Sequence, residues 1–152
     1  MNNANHNPPA IPLHASRLVA FFESLTPASV AEMALYYAPQ ARFKDPFNDV
    51  TGLPAIQHIF THMFVALDSP RFVVTNQMTQ GAQCFLTWEF RFAFRNFKKG
   101  QEQVILGSTH LVFSNEGLVT LHRDYWDAAQ ELYEKLPVVS SLMRWLRKRA
   151  NS

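Results

Sequence analysis

The chain has a single cysteine, Cys84, which excludes an internal disulfide framework. It has no uninterrupted run of about 20 apolar residues, the length a membrane-spanning helix needs. Charged residues make up only 17% of the sequence, below the usual quarter. The formal net charge of +2 is also uneven, because Arg144, Arg147, Lys148 and Arg149 gather four cations at one end and leave the remainder near −2. Nucleic-acid binding would call for Lys and Arg spread along one face, so charge gives no case for it. Residues 2 to 9 carry no Lys or Arg and lead into no long apolar segment, unlike a signal peptide. A cytoplasmic location is the resulting expectation.

What the chain does have is apolar bulk. In 152 residues, 47% are hydrophobic and thirteen are Phe, enough for one domain with a substantial core and for apolar surface lining a cavity or an interface. Residues 1 to 12, with four Asn and three Pro, read as a flexible leader. Residues 13 to 136 read as the domain, and 137 to 152 as an amphipathic basic tail. Cations at a helix C-terminus complement its dipole, so the tail is expected to dock on the domain or a partner, with membrane-surface contact as the weaker alternative.

Periodicity places the elements. Leu18, Phe21, Phe22 and Leu25 share one helix face. Thr26 and Pro27 can open a second helix, with Val30, Met33, Ala34 and Tyr37 inward and Pro39 ending it. A strand with Ala41, Phe43 and Asp45 on one face then meets Asp45-Pro46, and a third helix starts at Thr51 or Gly52 with Ile56, Ile59, Phe60, Met63, Phe64 and Leu67 on one side. From Arg71 the period becomes two, predicting strands over 71–80, 82–96, 102–114 and 117–127 in an antiparallel meander. On the second of these, Cys84, Leu86, Trp88, Phe90, Phe92 and Phe94 share one face. This row is the expected wall beneath the helices. On the last strand, Thr120, His122, Asp124 and Trp126 share a face, so His122 and Asp124 can sit side by side. Cys84, in an apolar strand, reads as a buried small side chain rather than a nucleophile. His58 and His62 have the spacing of a metal-binding pair but project away from the apolar stripe, so no metal and no cofactor is expected.

The stretches ARFKDPFNDVTGLPAIQHIFTHMF and GLVTLHRDYWDAAQ, in this order of elements, resemble the nuclear transport factor two-like superfamily, specifically its SnoaL-like and ketosteroid-isomerase-like members. The resemblance spans nearly residues 14 to 136. It implies an α+β domain in which a cone-shaped, curved antiparallel sheet wraps around three N-terminal helices, a pocket opens at one end, and two copies form a homodimer through the outer sheet face. Asp45 then matches the acid that ketosteroid isomerases use as general base in their own D-P turn. Where those enzymes place an oxyanion-binding Tyr and a protonated acid, this chain has Leu18 near Phe21 and Thr109 beside His110. Asp124 resembles the acid that limonene-epoxide-hydrolase-like members carry in an R-D-Y pattern, and Glu89 and Arg91 offer an acid and an Arg two residues apart. SnoaL-like cyclases use one acid in an apolar cavity with a His nearby, which Asp124 with His110 or His122 matches.

The implied function is a cofactor-independent isomerase, cyclase or hydrolase acting on a small apolar molecule by carboxylate general-base catalysis. Asp45 or Asp124 is the candidate base and His110 or His122 its polar partner. Tyr37, Phe43, Phe60, Trp88, Phe90 and Trp126 are the candidate ligand-binding wall. The alternative is a non-catalytic ligand-binding or interaction module, in which Asp45 only secures its turn through backbone hydrogen bonds.

Overall fold

The computed structural model describes residues 11–96 and 98–133. The expectations for the N-terminal leader and the basic tail fall largely or wholly outside them. Helix α1 (Ile11–Glu23) buries Leu18, Phe21 and Phe22, the face its spacing predicts. A 3-10 helix follows over Ser29–Leu35 and buries Val30 and Met33. Thr26 secures its entry: the Ser29 N–H donates to Thr26 Oγ1 at 3.1 Å while the Thr26 N–H donates to Ser29 Oγ at 2.8 Å.

The second helix is shorter than its periodicity suggests, and Tyr37 belongs instead to strand β1 (Tyr37–Lys44). Pro39 disfavours helical geometry at Ala38. Pairing then begins at once, since the Val119 N–H donates to the Tyr36 carbonyl at 2.8 Å. A tight turn joins β1 to β2 (Asp49–Thr51), and Gly52, at φ 102°, leads into α2 (Leu53–Ala66). Pro54 occupies the first turn of α2, where its missing N–H removes no hydrogen bond. Ile56 and Phe60 are its buried residues.

Four long strands complete the sheet: β3 (Leu67–Gln80), β4 (Gln83–Phe94), β5 (Gln103–Phe113) and β6 (Val119–Tyr125). A short helix, α3 (Ala128–Glu131), follows. Strand β3 starts four residues earlier than alternation indicates because Pro70 interrupts the pattern. Its pairing with β4 shifts between Asp68 and Arg71, a break that an edge strand tolerates.

The order β2-β1-β6-β5-β4-β3 makes a six-stranded, curved and unclosed sheet. Strands β3 to β6 form the antiparallel meander, whereas β1 joins β6 in parallel. The fold is therefore the expected α+β arrangement of a curved sheet and helices, with one parallel pairing that alternation alone does not reveal. On β4, Cys84, Leu86, Trp88 and Phe92 are buried and Phe90 and Phe94 pack against the same core, so the aromatic row is the inner wall. The parallel pairing sets Phe43 opposite His122, and the β5–β6 register sets Thr109 opposite Asp124. These two registrations assemble the candidate site.

Candidate functional site

Two carboxylates reach the cavity, and their surroundings differ. Asp45 follows β1 and begins the turn to β2. Its Oδ1 accepts the backbone N–H groups of Phe47 and Asn48, each at 2.7 Å, while the Asn48 side-chain amide donates to Oδ1 and Oδ2 at 3.0 Å. The Asp45 N–H returns a bond to the Asn48 carbonyl at 3.0 Å, and Pro46 supplies the fixed φ that suits the position after the turn's first residue. Most of the accepting capacity of Asp45 is thus spent on its own turn.

Asp124 lies on the inward face of β6, with its side chain 14% exposed. Its Oδ1 accepts from Thr109 Oγ1 at 2.6 Å and lies 2.8 Å from His122 Nε2. Behind these, Trp88 Nε1 donates to Thr109 Oγ1 at 2.7 Å, and His122 Nδ1 lies 2.7 Å from the Tyr37 hydroxyl. An indole N–H can only donate, so the Thr109 proton is directed to Asp124. On the other branch, the tautomer with hydrogen on Nε2 lets His122 donate to Asp124 and accept from Tyr37, which gives every donor an acceptor. Both branches converge on Oδ1. Among the described residues Oδ2 has no hydrogen-bond donor.

Tyr37 is 1% exposed. Burial first, and the charge of Asp124 second, push its phenol well above the ordinary value, so it stays protonated and able to donate to His122. It does not line the cavity wall where the sequence put it. It stands behind His122, with the two rings stacked at 6.1 Å between centroids.

The main cavity is about 290 Å³. Phe43 and Phe60 line it from β1 and α2, and Trp88, Phe90 and Phe92 from β4. Trp126 follows β6 and meets Phe47 edge-to-face at 5.4 Å, placing aromatic rings from both ends of the domain at the mouth. Phe47 has no partner in the sequence periodicity because it sits in the turn, and only the fold identifies it as wall. Trp88 owes its position to β5: a Cβ at Gly107 would lie 2.3 Å from the indole, so a side chain there would displace the ring. A smaller void of about 30 Å³ adjoins the cavity, with Phe60, Phe72, Trp88 and Asp124 as walls of both.

Several sequence candidates lie elsewhere. His110 is on the opposite face of β5, its ring stacked on Phe85 at 4.5 Å and its Nε2 2.7 Å from Gln83 Oε1. Alternation explains this, since Thr109 and Leu111 take the inward positions on either side of it. Of the two expected partners of Asp124, His122 is beside it, joined by Thr109, and His110 is not. Arg91 is bonded to Glu89 and Glu102 and does not line the cavity, so the Glu89–Arg91 pair does not join Asp124 in a water-activating group. His58 and His62 are exposed on α2, with ring centroids 6.5 Å apart. No group of three or more His, Cys, Asp or Glu is arranged to hold a metal among the described residues. Cys84 is buried, and burial pushes its thiol up to about 11, which suits a packing role and not a nucleophile.

The comparisons with known proteins agree with this architecture. A crystal structure from Shewanella putrefaciens CN-32, provisionally named a SnoaL-like polyketide cyclase, superposes with a TM-score of 0.68 at 18% identity, covering 84% of this chain and 98% of that one. A protein from Catenulispora acidiphila DSM 44928, described by its ketosteroid isomerase-like fold, gives 0.67 at 15% identity over 80% and 90%. An LEH-like epoxide hydrolase from M. tuberculosis gives 0.64 at 14% identity over 78% and 86%. At such identities the likeness is one of fold alone. No curated protein sequence matches the chain. The profile of the SnoaL-like domain matches residues 18–122, most of the described chain, and on that match the chain belongs to the SnoaL-like family.

Proposed function

We propose that this protein binds a small apolar, carbonyl-bearing molecule in the main cavity and that Asp124 acts on it as a general base without a cofactor. The observation that carries the reading is the asymmetry of the Asp124 carboxylate. Oδ1 is fixed by Thr109 and His122, whereas Oδ2 is unshared beside an aromatic cavity. Oδ2 would take a proton from the carbon next to the carbonyl, the C–H electron pair passing into an enolate. The proton would then return to the same carbon or to another, giving exchange or isomerisation; in a substrate with a second carbonyl the enolate carbon would instead attack that carbonyl carbon, its C=O pair passing to the oxygen, which takes the proton back from Asp124 and completes ring closure. His122 and Thr109 would hold the base in place, and the wall from Phe43 to Trp126 would exclude water.

The absence of Arg91 from the cavity favours this chemistry over activation of water by an acid and an Arg. One observation favours a second reading, binding without turnover. Among the described residues lining the main cavity there is no hydroxyl and no cation to stabilise an enolate oxygen.

The test is hydrogen–deuterium exchange of cyclic ketones such as 1-tetralone in D2O, followed by NMR, together with mass spectrometry of small molecules carried by the purified protein. Exchange by wild type that Asp124→Asn abolishes supports general-base catalysis. A carried ligand that is never altered supports the second reading, and neither ligand nor exchange would overturn both. We also propose the expected homodimer through the outer sheet face, which exposes Met78, Phe85, Leu106 and Tyr125. Sedimentation that returns a monomer at micromolar concentration would remove it.

A further inference from the structure

The 30 Å³ void beside Asp124 has its own chemistry. Beyond the side chains it shares with the main cavity, its apolar wall is Phe22, Val74, Leu86 and Leu111, whose side chains are all carbon. Of the polar groups at its edge, Thr109 Oγ1 is engaged between Trp88 and Asp124 and both His122 nitrogens between Asp124 and Tyr37, which leaves the acceptor Asp124 Oδ2 unshared. A void of that size admits a small group, a water molecule or a methyl. A water here would have no donor to accept from and few acceptors, whereas a methyl group would meet carbon on most sides.

We infer that this void is a specificity subsite for a small alkyl branch of the substrate, of methyl size, carried on or next to the carbon whose proton Asp124 removes. The inference rests on the general-base reading for the position of that carbon. The subsite adjoins Asp124 and shares Trp88, Phe60 and Phe72 with the cavity that would hold the substrate's body, so a group entering it lies within a bond or two of the reacting atom. Val74, Leu86 and Leu111 then set the largest branch accepted. Val74 is the residue through which preference is tuned most easily, because it lies on the edge strand β3 and is only partly buried.

The experiment is calorimetric titration of the full chain with 1-tetralones bearing hydrogen, methyl or isopropyl at the carbon next to the carbonyl, with deuterium exchange of the same compounds measured in parallel. Wild type should bind the methyl compound about fourfold tighter than the unbranched one, the gain for burying one methyl group, and the isopropyl compound more weakly than either. Leu86→Ala should move the optimum to isopropyl, and Val74→Leu, which fills the void, should remove the methyl preference. If Leu86→Ala does not fold, the milder Val74→Leu still decides. An order of affinities that is the same in wild type and both variants overturns the subsite, as does a methyl compound bound no tighter than the unbranched one. Exchange that depends on Asp124 with no change in branch preference removes the subsite and leaves the general base. A shifted preference without exchange does the reverse, and no binding by any compound removes both.

Discussion

Asp45 and Asp124 line the same cavity, each near the end of a strand, yet the chain around them makes different use of a carboxylate. At Asp45 the donors are local: two backbone N–H groups and one side-chain amide, all within three residues, close the turn from β1 to β2. At Asp124 the donors come from β5 and β6, are themselves oriented by Trp88 on β4 and Tyr37 on β1, and converge on one oxygen. The difference teaches that exposure to a cavity does not make an acid a base. A free oxygen does, and that depends on how many donors the surroundings have already placed on it.

The strongest challenge to this comparison is exchange of the two acids' roles. Asp124→Asn should lower kcat/KM for ketone exchange by about 10²–10⁴-fold, the usual contribution of a positioned base, with an unchanged circular dichroism spectrum. Asp45→Asn keeps an acceptor oxygen for the backbone donors and should change the same rate by less than about fivefold, because the comparison assigns Asp45 no proton transfer. The opposite ranking would make Asp45 the base. Asp45→Ala, which leaves the turn's N–H groups without that acceptor, should cost about 1–2 kcal/mol in urea unfolding.

Gly107→Ala tests the support of Asp124 from a distance. Displacing Trp88 breaks its bond to Thr109, and the overpacked core should lose about 1–3 kcal/mol, read from the same urea titration. Ligand affinity should fall with it, since Trp88 walls both voids. Tyr37→Phe is gentler. It removes the donor to His122 Nδ1 and should destabilise the fold by about 1 kcal/mol. It should also alter the pH profile of exchange, because the His122 tautomer is then no longer fixed from behind, whereas a role confined to packing would leave that profile in place.

The smallest effect is expected on the surface. Arg42, first through its hydrogen bond, holds the exposed Asp49 carboxyl down to about 2 from an ordinary 3.8. A carboxyl lowered in the folded state contributes stability above its unfolded pKa and loses it as pH falls toward about 2. Asp49→Asn should therefore match wild type in acid more closely than at neutral pH, and the gap should shrink in high salt. Acid titrations of both proteins by circular dichroism, at low and high ionic strength, check this.

Much of the fold was legible from period and punctuation. The aromatic row of β4 declares itself because a strand buried on one face alternates, and Pro54 after Gly52 marks the start of α2 because a helix's first turn tolerates a missing donor. The helical stripe containing Tyr37 misleads for an equally physical reason. Tyr37 sits at a helix-compatible interval from Met33, but Pro39 disfavours helical geometry at Ala38, and the chain is already extended at Tyr37, where β1 begins. The pairing of His122 with Asp124 was visible as i and i+2 on one face, while His110, a candidate only through the resemblance to SnoaL-like cyclases, lies on the opposite face of β5.

By itself the sequence determined the family-level architecture, the inner face of the aromatic strand β4 and two candidate acids, Asp45 and Asp124, near the ends of the first and last strands. These follow from local rules, alternation and turn chemistry, that need no knowledge of what lies across the sheet. Only the tertiary structure decided how the two acids are surrounded. That difference depends on the parallel β1–β6 pairing and the β5–β6 register, which bring Tyr37, His122, Thr109 and Trp88 behind one carboxylate from four strands. Hydrogen-bond donors far apart in the chain leave no periodic trace, and it is their count at each oxygen that separates the acid of a turn from the candidate base of a site.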